Sequence, residues 1–435
     1  MRSLARWAVL HGIGRAATRR WAKQGDLQAR LVADPSIRTD PYPLYEQMRA
    51  RGPLYPTRIG YVTTSHPVAA QVLRSDDYRT TSVSSSIPSP LDRIEKITRS
   101  GALHPIEPPS LLATDPPDHT RYRALVSSVF TARAVAAMRD DVQARADRLL
   151  DEIAAGAHDE IDLVERYCSQ LPVAVISDIL GVAEADHGRV LEFGDTVAPS
   201  LDFALPYRQF REVERGLVAF DTWLGRHMDG LRANPGDDLM SKLIKAQIDG
   251  EQLSSDELRA TAGLVLAAGF ETTVNLLSSG TKLLLDHPEQ RAALRDDPSL
   301  WRNAVDECLR FEPPVQLTGR VADTDVELAG RRVAKDSFIV TVLAAANRDP
   351  EVFDEPGRFD VTRPNANKHL AFSGGRHFCL GAALARLEGE VGLRTLFERF
   401  PDLASGGPGV RRKTRVLRGW ASLPVRPGQP VRSAA

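Results

Sequence analysis

A chain of 435 residues, 42% of them hydrophobic, can bury a large core, and its formal net charge of −1 excludes a general nucleic-acid binder. Its three cysteines, Cys168, Cys308 and Cys379, are widely spaced and form no CxxC, which excludes a disulfide framework and a structural zinc site and points to a reducing cytoplasm. No apolar run reaches the roughly eighteen residues of a membrane span, so no transmembrane segment is expected.

The N-terminal "MRSLARWAVLHGIGRAATRRWAK" is basic and mildly amphipathic. It reads as a surface helix or frayed tail, with contact to an anionic membrane surface as the alternative. "DPYPLYEQMRARGPLY" predicts a capped helix feeding a short strand, and "HPVAAQVLRSDDYRT" a second helix. The stretch from Ser82 to Ser110 is rich in Ser, Pro and Ile without a period and predicts a long functional loop. Helices resume at Asp118 and run, with breaks, to about Arg232. "SSDELRATAGLVLAAGFETTVNLLSSGTKLLLDHPE" is the longest helix, opened by a Ser/Asp cap and closed before Pro288, and spans roughly 40 Å. "VELAGRRVAKDSFIVTVLAAANRDP" alternates as strands do, and "TRVLRGWASLPVRP" predicts a small hairpin. No linker or repeat cuts the chain. The expectation is an N-terminal extension over residues 1–39 and one catalytic domain over 40–435, mainly α with small β-sheets.

The most informative stretch is "FSGGRHFCLGAALARLEG", Phe372 to Gly389. Glycines at 374, 375 and 381 permit tight turns and close approach of a flat group to backbone. The residues after Gly381 are strongly helical, so Cys379 falls at a helix N-terminus, where free N–H groups and the helix dipole favour an anion. These conditions lower a thiol's pKa. One thiolate without companion ligands points to haem iron.

The pattern Phe372-x-x-Gly375-x-His377-x-Cys379-x-Gly381 resembles the haem-binding signature of the cytochromes P-450. The resemblance covers about Asp40 to Pro427 and is closest to soluble actinobacterial members. It implies the P-450 fold, a long central helix over a buried haem b, with Cys379 as the axial ligand. In "ECLR", Glu307 and Arg310 stand at i, i+3, where side chains are neighbours. The resemblance implies that they are buried and, with Arg363 of "RFDVTRP", lock the segment leading to the cysteine. "AAGFETT" is similar to the family's oxygen-binding groove: Ala268 and Gly269 give room beside the cofactor, and Glu271 and Thr272 supply protons. His119 and Arg123 of "HTRYR", Arg320 and His377 match propionate-binding positions. Two details depart from many members: Ser373-Gly374 replaces a glycine followed by a variable residue, and Glu271 stands where many have Asp. Cys168 and Cys308 read as small core residues.

The implied activity is insertion of one atom of dioxygen into a substrate. Expected substrate contacts are the loop from Ser82 to Leu103, Leu264, Ala267, Val315 and Leu317, under a mobile roof from Leu191 to Tyr207. Their apolar character predicts a hydrophobic small molecule. With no flavin or ferredoxin module in the chain, electrons are expected from a ferredoxin and its NAD(P)H-dependent reductase, docking at Arg376 and Arg386. Two alternatives stay open: a peroxide-driven or rearranging haem-thiolate enzyme, and a non-enzymatic haem-based ligand binder or sensor.

Overall fold

The computed structural model describes residues 2–82, 91–99, 101–127, 129–156, 159–245 and 253–431. Its axis is the helix Ser255–Asp286, 32 residues long. Ser254 and Glu257 close a reciprocal capping box at its start, and the chain leaves the helix at His287, ahead of Pro288. Apolar on nearly every side, this helix must be surrounded. It packs against Gln170–Ile179, Tyr207–Ala233, Trp301–Phe311 and Ala382–Arg399. Its most apolar window has the composition of a membrane span, yet 67% of that window is buried in the protein, as in a core helix.

The sheets are small. The largest has five strands in the order Tyr55–Pro56, Gly60–Thr63, Phe338–Thr341, Thr318–Ala322, Tyr78–Arg79. Gly60–Thr63 and Phe338–Thr341 run parallel, and Thr318–Ala322 pairs antiparallel with Phe338–Thr341, setting Arg320 opposite Ile339.

Three local expectations are corrected. Within the predicted loop from Ser82 to Ser110, Leu91–Thr98 is a helix; residues 83–90 and 100 lie outside the described residues. So short a helix is marginal alone, and here it packs on the N-terminal helices. The predicted strand run ends in a helical turn, Leu343–Ala346. The predicted C-terminal hairpin is absent. Trp420–Ser422 pairs with Val410–Arg411, whereas Pro424–Arg426 pairs with Ile161–Asp162 and Ala404–Ser405. A single residue, buried Leu423, separates the two strands, too little chain for a hairpin turn, so the backbone passes from one sheet into the next.

The N-terminal segment is folded onto the body. Helices Arg2–Trp7 and Ile13–Lys23 flank a π-helical turn, Ala8–Gly12. Arg6 pairs with Glu214 at 2.9 Å, Trp7 Nε1 donates to the Leu205 carbonyl at 2.9 Å, and Arg15 donates to that of Ala204 at 2.8 Å. The last two contacts tie it to the segment predicted as a roof, Leu191 to Tyr207, which comprises the end of His187–Val197, a 3₁₀ turn Ala198–Leu201, and the chain up to the first residue of Tyr207–Ala233.

Gly419 shows how tightly the C-terminal loop sits on the central helix: a side chain there would overlap Asn275. Gly419→Ala should therefore cost about 1–3 kcal/mol, read as a lower urea midpoint. Gly407→Ala, at a position with open space around it, should leave the midpoint unchanged.

Candidate functional site

The cysteine lies in a turn held by backbone bonds. Cys379 N–H donates to the Phe372 carbonyl at 2.9 Å and Phe378 N–H to that of Gly375 at 3.0 Å. The helix Ala382–Arg399 follows, with Gly381 as its N-cap. Gly375 has φ +62°, and a side chain there would sit 2.5 Å from the Leu73 carbonyl, so only glycine suits this turn. Ser373 also takes a left-handed conformation, φ +62°. Serine here bears a strain of roughly 1 kcal/mol. Phe372 is buried beside the rings of His369 and Phe378.

The thiol of Cys379 is only partly buried, whereas Cys168 and Cys308 are buried. The Gly381 N–H, Arg123 and Arg386 favour its thiolate as the helix-end argument requires, but burial outweighs them and the free thiol is pushed up, not down. A stable thiolate at this place needs a cation on the sulfur. Arg386 is committed to Asp306 at 2.7 Å and stacks on Phe372, and Arg376 is committed to Asp76 at 2.7 Å. Neither expected docking arginine is thus a free surface charge. His369, which the sequence did not single out, shares Asp306 with Arg386.

On the central helix, most neighbours are buried but one stripe is open. Ala268 is exposed, and Leu264, Ala267 and Thr272 are partly so, beside buried Leu266, Phe270, Glu271 and Thr273. Thr272 and Thr273 make the same bond, each hydroxyl donating to the carbonyl four residues back, at 2.9 Å and 3.1 Å. That bond is ordinary for a threonine inside a helix. What separates the two residues is that Thr272 remains open. Gly269 does not belong to the open stripe in the way expected: a side chain there would meet Ile176 at 2.8 Å, so its small size serves packing of Gln170–Ile179 against the central helix. Ala267 lines a small apolar hollow with Val190, Phe193, Val197, Phe220 and Phe270, beneath the roof helix. Val315 forms a bridge with Leu417, and Leu317 packs against a separate cluster containing Val340.

Glu271 is buried, with Arg412 Nε 3.2 Å from its Oε1. The same guanidinium reaches Asp195 on the roof helix at 2.7 Å. Burial pushes the Glu271 carboxyl up to about 7, Asp195 adds to the rise, and Arg412 and Asn275 oppose it. Arg412 lies 141 positions along the chain from Glu271, and no local pattern marks it.

A third group is a set of hydrogen-bond donors. The rings of His119 and His377 are 4.3 Å apart, and Nε2 of each is buried without a hydrogen-bond partner. The nearest carboxylate oxygen to His377, on Asp115, is 3.8 Å away, too far for a hydrogen bond. Burial lowers His119 to about 4, with His377 and Arg123 adding to the effect. Among the described residues, buried Arg320 donates only to the Thr318 hydroxyl and the Gly319 carbonyl, with no carboxylate in contact, and burial lowers it to about 10. Arg123 donates to the Phe378 carbonyl, next to the cysteine, at 2.8 Å. Buried donors lacking an anion fit the carboxylates of a haem, and the lone half-buried thiol fits its iron.

Glu307 and Arg310 form a two-bonded pair, 2.6 and 2.7 Å, with side chains fully buried. Arg363 Nε donates to Glu307 at 3.2 Å, as does the Asp360 N–H at 2.9 Å. Arg310 also donates to the carbonyls of Asn347, Pro356 and Arg358, and Arg363 to those of Asp354, Glu355 and Arg358. Asn347 then accepts the Leu370 N–H at 2.6 Å. The network thus fixes the chain that enters the cysteine turn.

A family model, Cytochrome P450, matches residues 220–407. Cytochrome P450 140 of Mycobacterium tuberculosis is 56% identical over 436 residues, covering 100% of this chain and 99% of its own length. The 6-deoxyerythronolide B hydroxylase of Saccharopolyspora erythraea is 45% identical over 318 residues, 72% of this chain and 76% of the other. Among solved structures, ligand-free CYP164A2 of Mycobacterium smegmatis superposes with a TM-score of 0.81 at 35% identity, covering 92% of this chain and 99% of that one. By this likeness along its whole length, the chain belongs to the cytochrome P450 family of monooxygenases, whose members hold haem through a cysteine thiolate.

Proposed function

We propose that residues 40–435 form one catalytic domain that binds haem b and oxygenates a hydrophobic small molecule in the cytoplasm, with electrons from a ferredoxin and its NAD(P)H-dependent reductase. The observation that carries this reading is the set of buried donors without a hydrogen-bonded anion among the described residues, His119, His377 and Arg320, on a fold whose cysteine turn Arg123 also touches. Cys379 would hold the iron, and the four donors the propionates. When bound, the haem supplies dioxygen activation, and a cysteinate behind its iron favours O–O cleavage.

The chain's own work is positioning, dryness and proton supply. The apolar lining at Leu264, Ala267, Val315 and beneath the roof helix favours a substrate with much apolar surface. Leu317, drawn into the cluster with Val340, is the weakest of the expected contacts. The 45%-identical relative is named a hydroxylase, which supports hydroxylation as the class of reaction. Thr272, the open threonine, presents a hydroxyl, and Glu271 behind it, pushed up to about 7, can give and regain a proton near neutral pH.

The test separates these two roles. Thr272→Ala keeps a good helix former and should fold, load haem and consume NAD(P)H, while product falls severalfold and hydrogen peroxide rises in its place. Glu271→Gln should slow turnover by about 10²-fold and increase the solvent deuterium effect. The raised carboxyl sets the pH dependence. It is protonated below 7, so wild-type turnover should decline as pH rises through 7, and Glu271→Gln should lack that decline. Wild-type coupling in Thr272→Ala, or an unchanged pH profile in Glu271→Gln, defeats the assignment. A ferredoxin-supported rate indistinguishable from that with peroxide alone favours the peroxide-driven alternative.

A further inference from the structure

The loop that touches the central helix through Arg412 and Gly419 also walls a small cleft open to solvent. The charged side chains lining it are Arg38, Arg411, Arg412, Arg415 and Arg418, and the lining contains no Asp or Glu. The carboxylates behind these groups are shared. Glu312 serves Arg348, Arg411 and Arg418 at 3.8, 3.3 and 2.9 Å. Asp202 stands 3.9 Å from Arg415, and Arg412 is divided between Asp195 and Glu271. With Arg38 and Arg348 included, six guanidinium groups have four carboxylates. Arg38 makes no ion pair among the described residues, and its Nε is buried without a hydrogen-bond partner.

The arginines are held in place before any ligand arrives. Arg418 donates to the carbonyls of Arg38 and Thr39 at 2.7 and 3.0 Å. Arg415 donates to that of Val32 at 2.9 Å and to that of Phe203. Arg411 stacks on Trp420 at 3.7 Å. Fixed, planar guanidinium groups with excess positive charge match the two-oxygen edge of a carboxylate or phosphate, and their ordering cost is already met by the fold.

We propose that this cleft is an anion site that takes one carboxylate or phosphate group. It lies one layer from the central helix, since Arg412 reaches Glu271, Gly419 packs on Asn275, and neighbouring Leu417 pairs with Val315. The anion is therefore either the carboxylate end of a substrate or a free phosphate. The site requires no haem chemistry, so it stands or falls independently of the oxygenase mechanism.

Calorimetric titration of the haem-loaded chain with inorganic phosphate, ionic strength being held with chloride, should show one saturable site. Arg38→Gln should weaken it about tenfold or more, whereas Arg20→Gln, on the exposed N-terminal helix, should not. Dodecanoate and dodecanol distinguish the sources. If dodecanoate binds better than dodecanol and loses that advantage in Arg38→Gln, the group belongs to a substrate. If phosphate alone responds to Arg38→Gln, the group is free phosphate. Trp420 gives a second reading without altering an arginine: phosphate should shift tryptophan emission, and Trp420→Phe should lose the shift. No saturable binding of any probe, equal affinity in Arg38→Gln, or emission unmoved by saturating phosphate overturns the proposal.

Discussion

Replacing Cys379 by histidine should abolish the long-wavelength band that carbon monoxide gives with reduced thiolate-ligated haem, with product formation falling to background. The sulfur's place is set by backbone bonds from residue 379 to Phe372 and by the helix that starts at Ala382, so the turn should survive the change while the ligand's chemistry is lost. The effect is the largest open to a single substitution, because electron donation by sulfur is what an imidazole cannot supply. Cys168→Ala and Cys308→Ala should keep the band. Both thiols are buried and pushed well up by that burial, so neither is available as a thiolate. Reduced, carbon-monoxide-treated samples of all three variants decide the matter. A thiolate spectrum from Cys379→His removes this residue from the site.

Glu307→Ala should yield little soluble, haem-loaded protein. The carboxylate is the shared anion of two buried guanidinium groups and also accepts the Asp360 N–H. Its removal leaves Arg310 and Arg363 buried and uncompensated, a cost of about 3–5 kcal/mol, against a total stability of roughly 5–15 kcal/mol for ordinary proteins. Arg310→Lys should fail similarly, since one ammonium cannot span the Glu307 carboxylate and three backbone carbonyls at once. The control is Arg358→Ala. Its side chain pairs with Glu355 at 3.3 Å on the surface, where such pairs contribute under about 1 kcal/mol. Haem-to-protein absorbance ratios and urea midpoints report both. A fully loaded, normally stable Glu307→Ala that is merely slow would transfer these residues from scaffold to catalysis.

The sequence by itself determined what rests on neighbours in the chain. The central helix could be bounded because a Ser/Asp cap and a proline act within one turn; the structure places the ends at Ser255 and Asp286 and shows the cap as a Ser254–Glu257 capping box. The Glu307–Arg310 pair was legible because residues three apart on a helix face one another. The cysteine turn was legible as a string of glycines before a helical run, although the reason for Gly375, the backbone of Leu73 and Arg74 pressed against it, was not. Tertiary structure alone decided the rest. Thr272 was named from the resemblance of its motif, and only the packing around the central helix leaves it partly open while Thr273 is buried. Gly269 looked like room beside a cofactor, but the facing residue is Ile176. Arg376 and Arg386 read as docking residues, and only the fold sets Asp76 and Asp306 beside them. Caps, periodicity and helical pairs act over a few residues and so are written locally. The ion pairs of Arg412, the two sheets that divide Trp420–Ser422 from Pro424–Arg426, and the arginine-lined cleft join segments far apart in the chain. Such contacts are selected by which surfaces meet when the whole core closes, and no short stretch of sequence carries that information.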